Sequence, residues 1–210
     1  MGVRVSPCAL EIDASQLAIV ITMSFFTGKG DDGSTKLFDS KGAERVSKTS
    51  PIFETLGMLD ELNSVTGWCR VACTTKHTVA ERTFADVLRD VQDHLFTMQA
   101  EVAGAPKQVP QTSVEMLGEM IGKVERSLPK VTTFLVPGGT EISARLDIAR
   151  AVSRRVERRL VQLHESGERN IQASSRAYAN RLSSLFYALT RLANRLEEID
   201  EESPRYKDNV

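Results

Sequence analysis

Ten consecutive residues, Arg150-Ala-Val-Ser-Arg154-Arg155-Val-Glu157-Arg158-Arg159, carry five arginines. On a helix, Arg150, Arg154 and Arg158 stand at i, i+4 and i+8 and drift only about 80° around the axis, so they share one stripe. Like charges one turn apart cost roughly 0.2–0.5 kcal/mol per pair, and Glu157 offsets only part of that. A multivalent anion turns the repulsion into binding through charge-assisted, often bidentate, hydrogen bonds. The same stripe also reads as an ordinary charged helix face that makes salt bridges between subunits.

A second donor-rich set lies in residues 25–50. Phe25-Phe26-Thr27-Gly28-Lys29-Gly30-Asp31-Asp32-Gly33-Ser34-Thr35-Lys36 is followed by Arg45-Val-Ser-Lys48. Gly28, Gly30 and Gly33 allow a backbone that a side chain obstructs. Thr27, Ser34, Thr35, Lys29, Lys36, Arg45 and Lys48 add hydroxyl and cationic donors, a content suited to a phosphate chain. It reads equally as a solvated glycine-rich turn.

Several other chemistries fail on spacing. A Walker A loop needs Lys and Ser/Thr after its last glycine, where Ser34 and Thr35 stand. Asp31-Asp32-Gly33 lacks the remaining ligand spacing of an EF-hand. His77, His94 and His164 each lack an acid three residues earlier, as a di-iron bundle requires. Cys and His are scattered rather than clustered for zinc, and there is no GxSxG nucleophile elbow. The histidines therefore read as surface or core residues.

The elements that position these residues are helices. Segments near 52–75, 79–104, 112–128, 140–166 and 171–200 carry apolar residues at three- and four-residue spacing. Leu182, Leu185, Leu189, Leu192 and Leu196 form the seam of the last one. Ile142, Leu146, Ala149, Val152, Val156, Leu160 and Leu163 lie along one line of the fourth, with the arginine stripe at its edge. Long helices with short connections predict an all-α bundle.

Composition bounds the rest. The 210 residues fit one domain with a sizeable core. With 27 Lys+Arg against 28 Asp+Glu, the net charge of −1 argues against a nucleic-acid partner. No apolar run approaches the roughly 18 residues of a membrane span. Cys8, Cys69 and Cys73 form neither a disulfide framework nor a CxxC pair, so a reducing, cytoplasmic compartment is expected. Residues 1–22 read as an extension, disordered or upstream of the true start, with 23–203 the domain and 204–210 a flexible tail.

Four blocks, in this order, resemble one family. They are Phe26–Thr35 with Arg45-Val-Ser-Lys48; Gly57-Met-Leu-Asp60-Glu61-Leu62-Asn63-Ser64; Phe134-Leu-Val-Pro-Gly-Gly139 before the arginine helix; and Tyr178-Ala-Asn180-Arg181-Leu182-Ser183. Together they resemble the PduO-type ATP:cob(I)alamin adenosyltransferases over residues 25–198. The resemblance implies a five-helix bundle assembled as a homotrimer, with sites between neighbouring subunits. It implies transfer of the 5′-deoxyadenosyl group of ATP to cob(I)alamin, release of triphosphate, and Mg²⁺ carried on the ATP phosphates rather than by protein side chains.

The resemblance also assigns roles. Thr27, Gly28, Lys29, Gly30, Asp31, Gly33, Ser34 and Thr35, with Lys48, are expected to wrap the triphosphate. Arg154, Arg158 and Asn180 are expected to hold ATP, with Glu157 nearby. Arg150 is expected to pair with Asp60 across the subunit interface, and Phe134 to occupy the lower corrin face and keep the axial base off cobalt. Phe134, Arg150 and Asp60 are thus the expected catalytic positions. A flavoprotein reductase and an adenosylcobalamin-dependent enzyme are the implied partners. Two positions depart from the family: Gly28 stands where Arg or Lys is common, and Ser184 where Asp is common. They leave open a trimeric ATP- and corrinoid-binding or cofactor-handover protein with weak or no turnover.

Overall fold

A computed structural model describes residues 27–206. The expected extension 1–22, Phe25 and Phe26, and positions 207–210 of the expected tail lie outside the described residues. The chain divides between Asp32 and Gly33 into two units. In the first, Thr27–Asp32 form a turn in which the Asp31 N–H donates to the Gly28 carbonyl at 3.2 Å.

The second unit contains five helices: α1 (Pro51–Val71), α2 (Phe84–Val102), α3 (Gln111–Ser127), α4 (Glu141–Glu165) and α5 (Ala173–Leu196). It also holds two short antiparallel ladders, β1 (Ser34–Thr35) with β2 (Val46–Ser47) and β3 (Thr78–Val79) with β4 (Arg82–Thr83). Helix α4 packs against both α1 and α5; α2 packs on α1, and α3 on α5. Among the described residues no helix is long and apolar enough to cross a membrane.

Each helix starts where local chemistry allows. Pro51 opens α1, at a position where its missing N–H is not needed. The Thr83 hydroxyl accepts the Asp86 N–H at the head of α2. Thr140 and Ser143 form a reciprocal capping box on α4, at 3.1 and 2.8 Å. Helix α5 has no side-chain cap of its own. The buried Glu101 of α2 supplies one, accepting from the Gln172 N–H and the Ser175 hydroxyl. That contact ties two helices and satisfies an otherwise orphaned amide.

The expected apolar line of α4 is buried throughout, from Ile142 to Leu163. In α5, Leu182, Leu185 and Leu189 are buried, but Leu196 is exposed because the helix ends there. The expected start of the second helix at 79 is five residues early. Residues 78–83 are instead a hairpin whose turn residues, Ala80 and Glu81, take φ of 48° and 64°. His77 below it is buried. Its Nδ1 accepts the Thr74 N–H at 2.9 Å and its Nε2 lies 2.8 Å from Glu197 Oε1, so it is a core residue that pins the hairpin to the end of α5.

Candidate functional site

The site is built on the antiparallel pair α4 and α5. Arg150 is partly buried and Arg154 and Arg158 are exposed, so the stripe lies at the edge of the packed face, as its spacing requires. Among the described residues, neither the Arg154 nor the Arg158 guanidinium has a hydrogen-bond or ion-pair partner. Their neighbour Arg155 does, reaching both carboxylate oxygens of Glu61 on α1 at 2.8 Å. Further along, the Asn180 amide donates to Glu157 Oε1 at 2.6 Å, joining two expected nucleotide residues across the helix pair.

A cleft of about 800 Å³ opens beside the stripe. It is lined by residues 131–135, Arg150, Arg154, Ser183, Ser184 and Tyr187. Phe134 is 78% exposed on its rim. Three sequence-predicted residues, Phe134, Arg150 and Arg154, therefore share one concavity with cationic and apolar walls. Ser184, one of the two positions singled out above as departures from the resemblance, is in the lining. A second cleft of about 830 Å³ adjoins it between the end of α3 and α5, sharing Val131, Ser184 and Tyr187.

The segment that carries Phe134 has no regular structure and is held at several points. The Arg191 guanidinium donates to the Pro129 carbonyl at 3.1 Å. The Val136 N–H donates to the Glu202 carbonyl at 2.8 Å, so the chain after α5 runs along this segment. At its foot, Gly139 takes φ 116°, and a Cβ there would lie 2.4 Å from Asn194 Oδ1. The Asn194 amide donates to the Gly138 carbonyl and its Oδ1 accepts the Thr140 N–H. Only glycine fits this close approach at positive φ.

The second predicted cluster is separate. Gly33, at φ 78°, accepts the Lys48 N–H at 2.9 Å, and Ser34–Thr35 pair with Val46–Ser47, so Gly33, Ser34, Thr35 and Lys48 are brought together. The Arg45 guanidinium braces the Ser34 hydroxyl and carbonyl. Gly28 is also left-handed at φ 68°, whereas Gly30 is not. No hydrogen bond or ion pair among the described residues joins Gly33–Lys48 to the arginine stripe.

Asp60 is exposed on α1. Within the chain, Arg150 is paired instead with Asp147, Nε to Oδ1 at 3.1 Å. This acid one turn upstream was legible as an i,i+3 ion pair but is absent from the family blocks; Tyr187, four residues beyond Ser183, is likewise a lining residue that sequence reasoning missed. The two described thiols offer no nucleophile at neutral pH. Burial pushes Cys69 up to about 12 and Cys73 up to about 11. Among the described residues no three His, Cys, Asp or Glu side chains converge on a metal-sized site.

Residues 25–193 match the family model described as cobalamin adenosyltransferase. The corrinoid adenosyltransferase PduO of Salmonella typhimurium is 37% identical over 196 residues, covering 88% of this chain and 55% of its own. The human corrinoid adenosyltransferase MMAB is 34% identical over 174 residues, 80% of this chain and 68% of its own. The chain spans about half the length of the PduO relatives it matches. Among solved structures, a phenylalanine-to-alanine variant of the PduO-type ATP:corrinoid adenosyltransferase of Lactobacillus reuteri, complexed with cobalamin and ATP, superposes with a TM-score of 0.78. It is 28% identical and covers 87% of this chain and 100% of its own. Fold, motif order and the family match over most of the helical unit agree: this chain belongs to the cobalamin adenosyltransferase family.

Proposed function

We propose that the chain is an ATP:cob(I)alamin adenosyltransferase that works as a homotrimer. The C5′–O bond of ATP breaks as the cobalt–carbon bond forms, and triphosphate leaves. Cob(I)alamin is a strong nucleophile, so the reaction needs no protein base. It needs alignment of cobalt with C5′ and stabilisation of charge on the departing triphosphate. The observation that carries this reading is the convergence of Phe134, Arg150 and Arg154 on one cleft, with Arg154 and Arg158 lacking carboxylate partners among the described residues.

Arg154 and Arg158 bind the polyphosphate and oppose its growing charge, with the glycine-rich loop and Lys48 supplying further donors. Glu157 and Asn180, already bonded to each other, form a polar edge for the nucleoside. Phe134 lies against the lower corrin face. Mg²⁺ travels on the phosphate oxygens and shares their charge. Adenosyl transfer requires cobalt in the Co(I) state, which makes a flavoprotein reductase the upstream partner and an adenosylcobalamin-dependent enzyme the downstream one. The unbridged thiols of Cys69 and Cys73 suit a reducing cytoplasm.

The trimer accounts for one feature. Trp68, with the Arg145 guanidinium over its ring at 4.6 Å, and Val71 on α1 are exposed, as is Ile148 on α4, apolar side chains that a second subunit can cover. Asp60 is exposed on the same helix as Trp68, available to a neighbour's Arg150.

Ser184 in the cleft lining favours a second reading, a trimeric binding or handover protein with little turnover, because an acidic support is missing there. Calorimetry with MgATP gives saturable binding under both readings, and Arg154→Ala weakens it about 10- to 100-fold under both. Formation of adenosylcobalamin from reduced cobalamin separates them: catalytic turnover supports the enzyme, and binding with at most one slow event per site supports the handover protein.

A further inference from the structure

One carboxylate connects Arg150, the cation offered to a neighbour's Asp60, with the irregular segment that carries Phe134. The Asp147 side chain is only 10% exposed and uses both oxygens. Oδ1 accepts from Arg150 Nε at 3.1 Å. Oδ2 accepts the Gly138 N–H at 3.2 Å, at the foot of the segment that carries Phe134. The turn it grips is already constrained by Asn194 and by Ser143, whose hydroxyl donates to the Gly138 carbonyl at 3.0 Å.

The bond to Arg150 is made through Nε alone. The two Nη groups have no partner among the described residues, and the Arg150 side chain is 31% exposed. A guanidinium anchored at Nε presents its remaining donors as a fork with fixed direction. Asp147 thus neutralises Arg150 only partly and aims it outward.

We propose that Asp147 is a positioning residue for adenosyl transfer: one carboxylate holds the Arg150 fork and the Gly138 turn together, so that the cation facing the neighbouring subunit and the corrin-side aromatic keep register. The inference rests on the adenosyltransferase reading. An amide at this position can accept from one of the two donors but sets an N–H against the other, so Asp147→Asn uncouples them with little change in shape.

The test compares wild type, Asp147→Asn, Arg150→Ala and the double variant, in reactions started from cob(I)alamin and from cob(II)alamin with a reductant. Wild-type turnover is read first; its absence defeats the functional reading and this inference with it. With wild type active, Asp147→Asn is expected to lower kcat on the order of 10- to 100-fold, the cost of misplacing a reacting group by about an ångström. The loss is larger in the reaction started from cob(II)alamin. The double variant is expected to fall well short of the product of the two single losses, because part of the Asp147 effect runs through Arg150. Unchanged rates in Asp147→Asn, strictly multiplicative losses, or equal losses in both assays that track a lowered melting temperature overturn the proposal while leaving the adenosyltransferase reading in place.

Discussion

Arg154 and Arg158 are exposed guanidinium groups one turn apart that repel each other and have no partner among the described residues. Replacing either by Ala is expected to raise the KM for ATP about 10- to 100-fold, the equivalent of one charge-assisted hydrogen bond. Stability should change by no more than about 0.5 kcal/mol, read from a denaturant midpoint; unfolding of either variant makes that arginine structural. Phe134, 78% exposed, tests the other half of the cleft. Phe134→Ala should impair the reaction started from cob(II)alamin more than the one started from cob(I)alamin, and equal losses contradict a role against the lower corrin face. At this scale the sequence was informative where chemistry repeats at helical spacing, as in Arg150, Arg154 and Arg158. Asp147 was harder to find because its importance lies in the Gly138 amide it grips, a contact closed by a turn and not by periodicity.

The elements were legible wherever one apolar face persists for several turns. The line from Ile142 to Leu163 gave α4 nearly to the residue, and every member is buried. Boundaries failed where non-glycine residues take an unusual backbone. Ala80 and Glu81, both left-handed, turn a ladder that Thr78, Val79, Arg82 and Thr83 alone do not announce. Such a pair of positive φ values is the geometry that Asn-Gly satisfies. The double change Ala80→Asn with Glu81→Gly is therefore expected to stabilise the protein by about 1–2 kcal/mol. Urea unfolding should show a higher midpoint with an unchanged slope. A lowered midpoint means that these side chains make contacts worth more than the strain they carry. The cap that Glu101 lends to α5 was equally hidden, because its partners lie 71 and 74 residues away.

For the whole molecule, family and helical architecture follow from the order of four sequence blocks, yet the described residues of one chain hold the expected site in two parts not bonded to each other. The glycine-rich ladder gathers Gly33, Ser34, Thr35 and Lys48; the cleft gathers Phe134, Arg150 and Arg154, and the helix pair joins Glu157 to Asn180. The proposed trimer is the step that joins the two parts. Sedimentation should give three times the 23.2 kDa of the chain. Trp68→Glu combined with Ile148→Glu should reduce that to a single chain and remove turnover together, because burying two charges in an apolar contact is costly. Full activity in a monomer contradicts a site shared between subunits. The central claim is tested most directly by mixing the protein with anaerobically reduced cobalamin and excess MgATP, following the cob(I)alamin absorbance and measuring both products. The account predicts loss of the band far faster than without protein, over many turnovers, with adenosylcobalamin and inorganic triphosphate formed in equal amounts. Loss no faster than in the protein-free control, with ATP left intact, contradicts it.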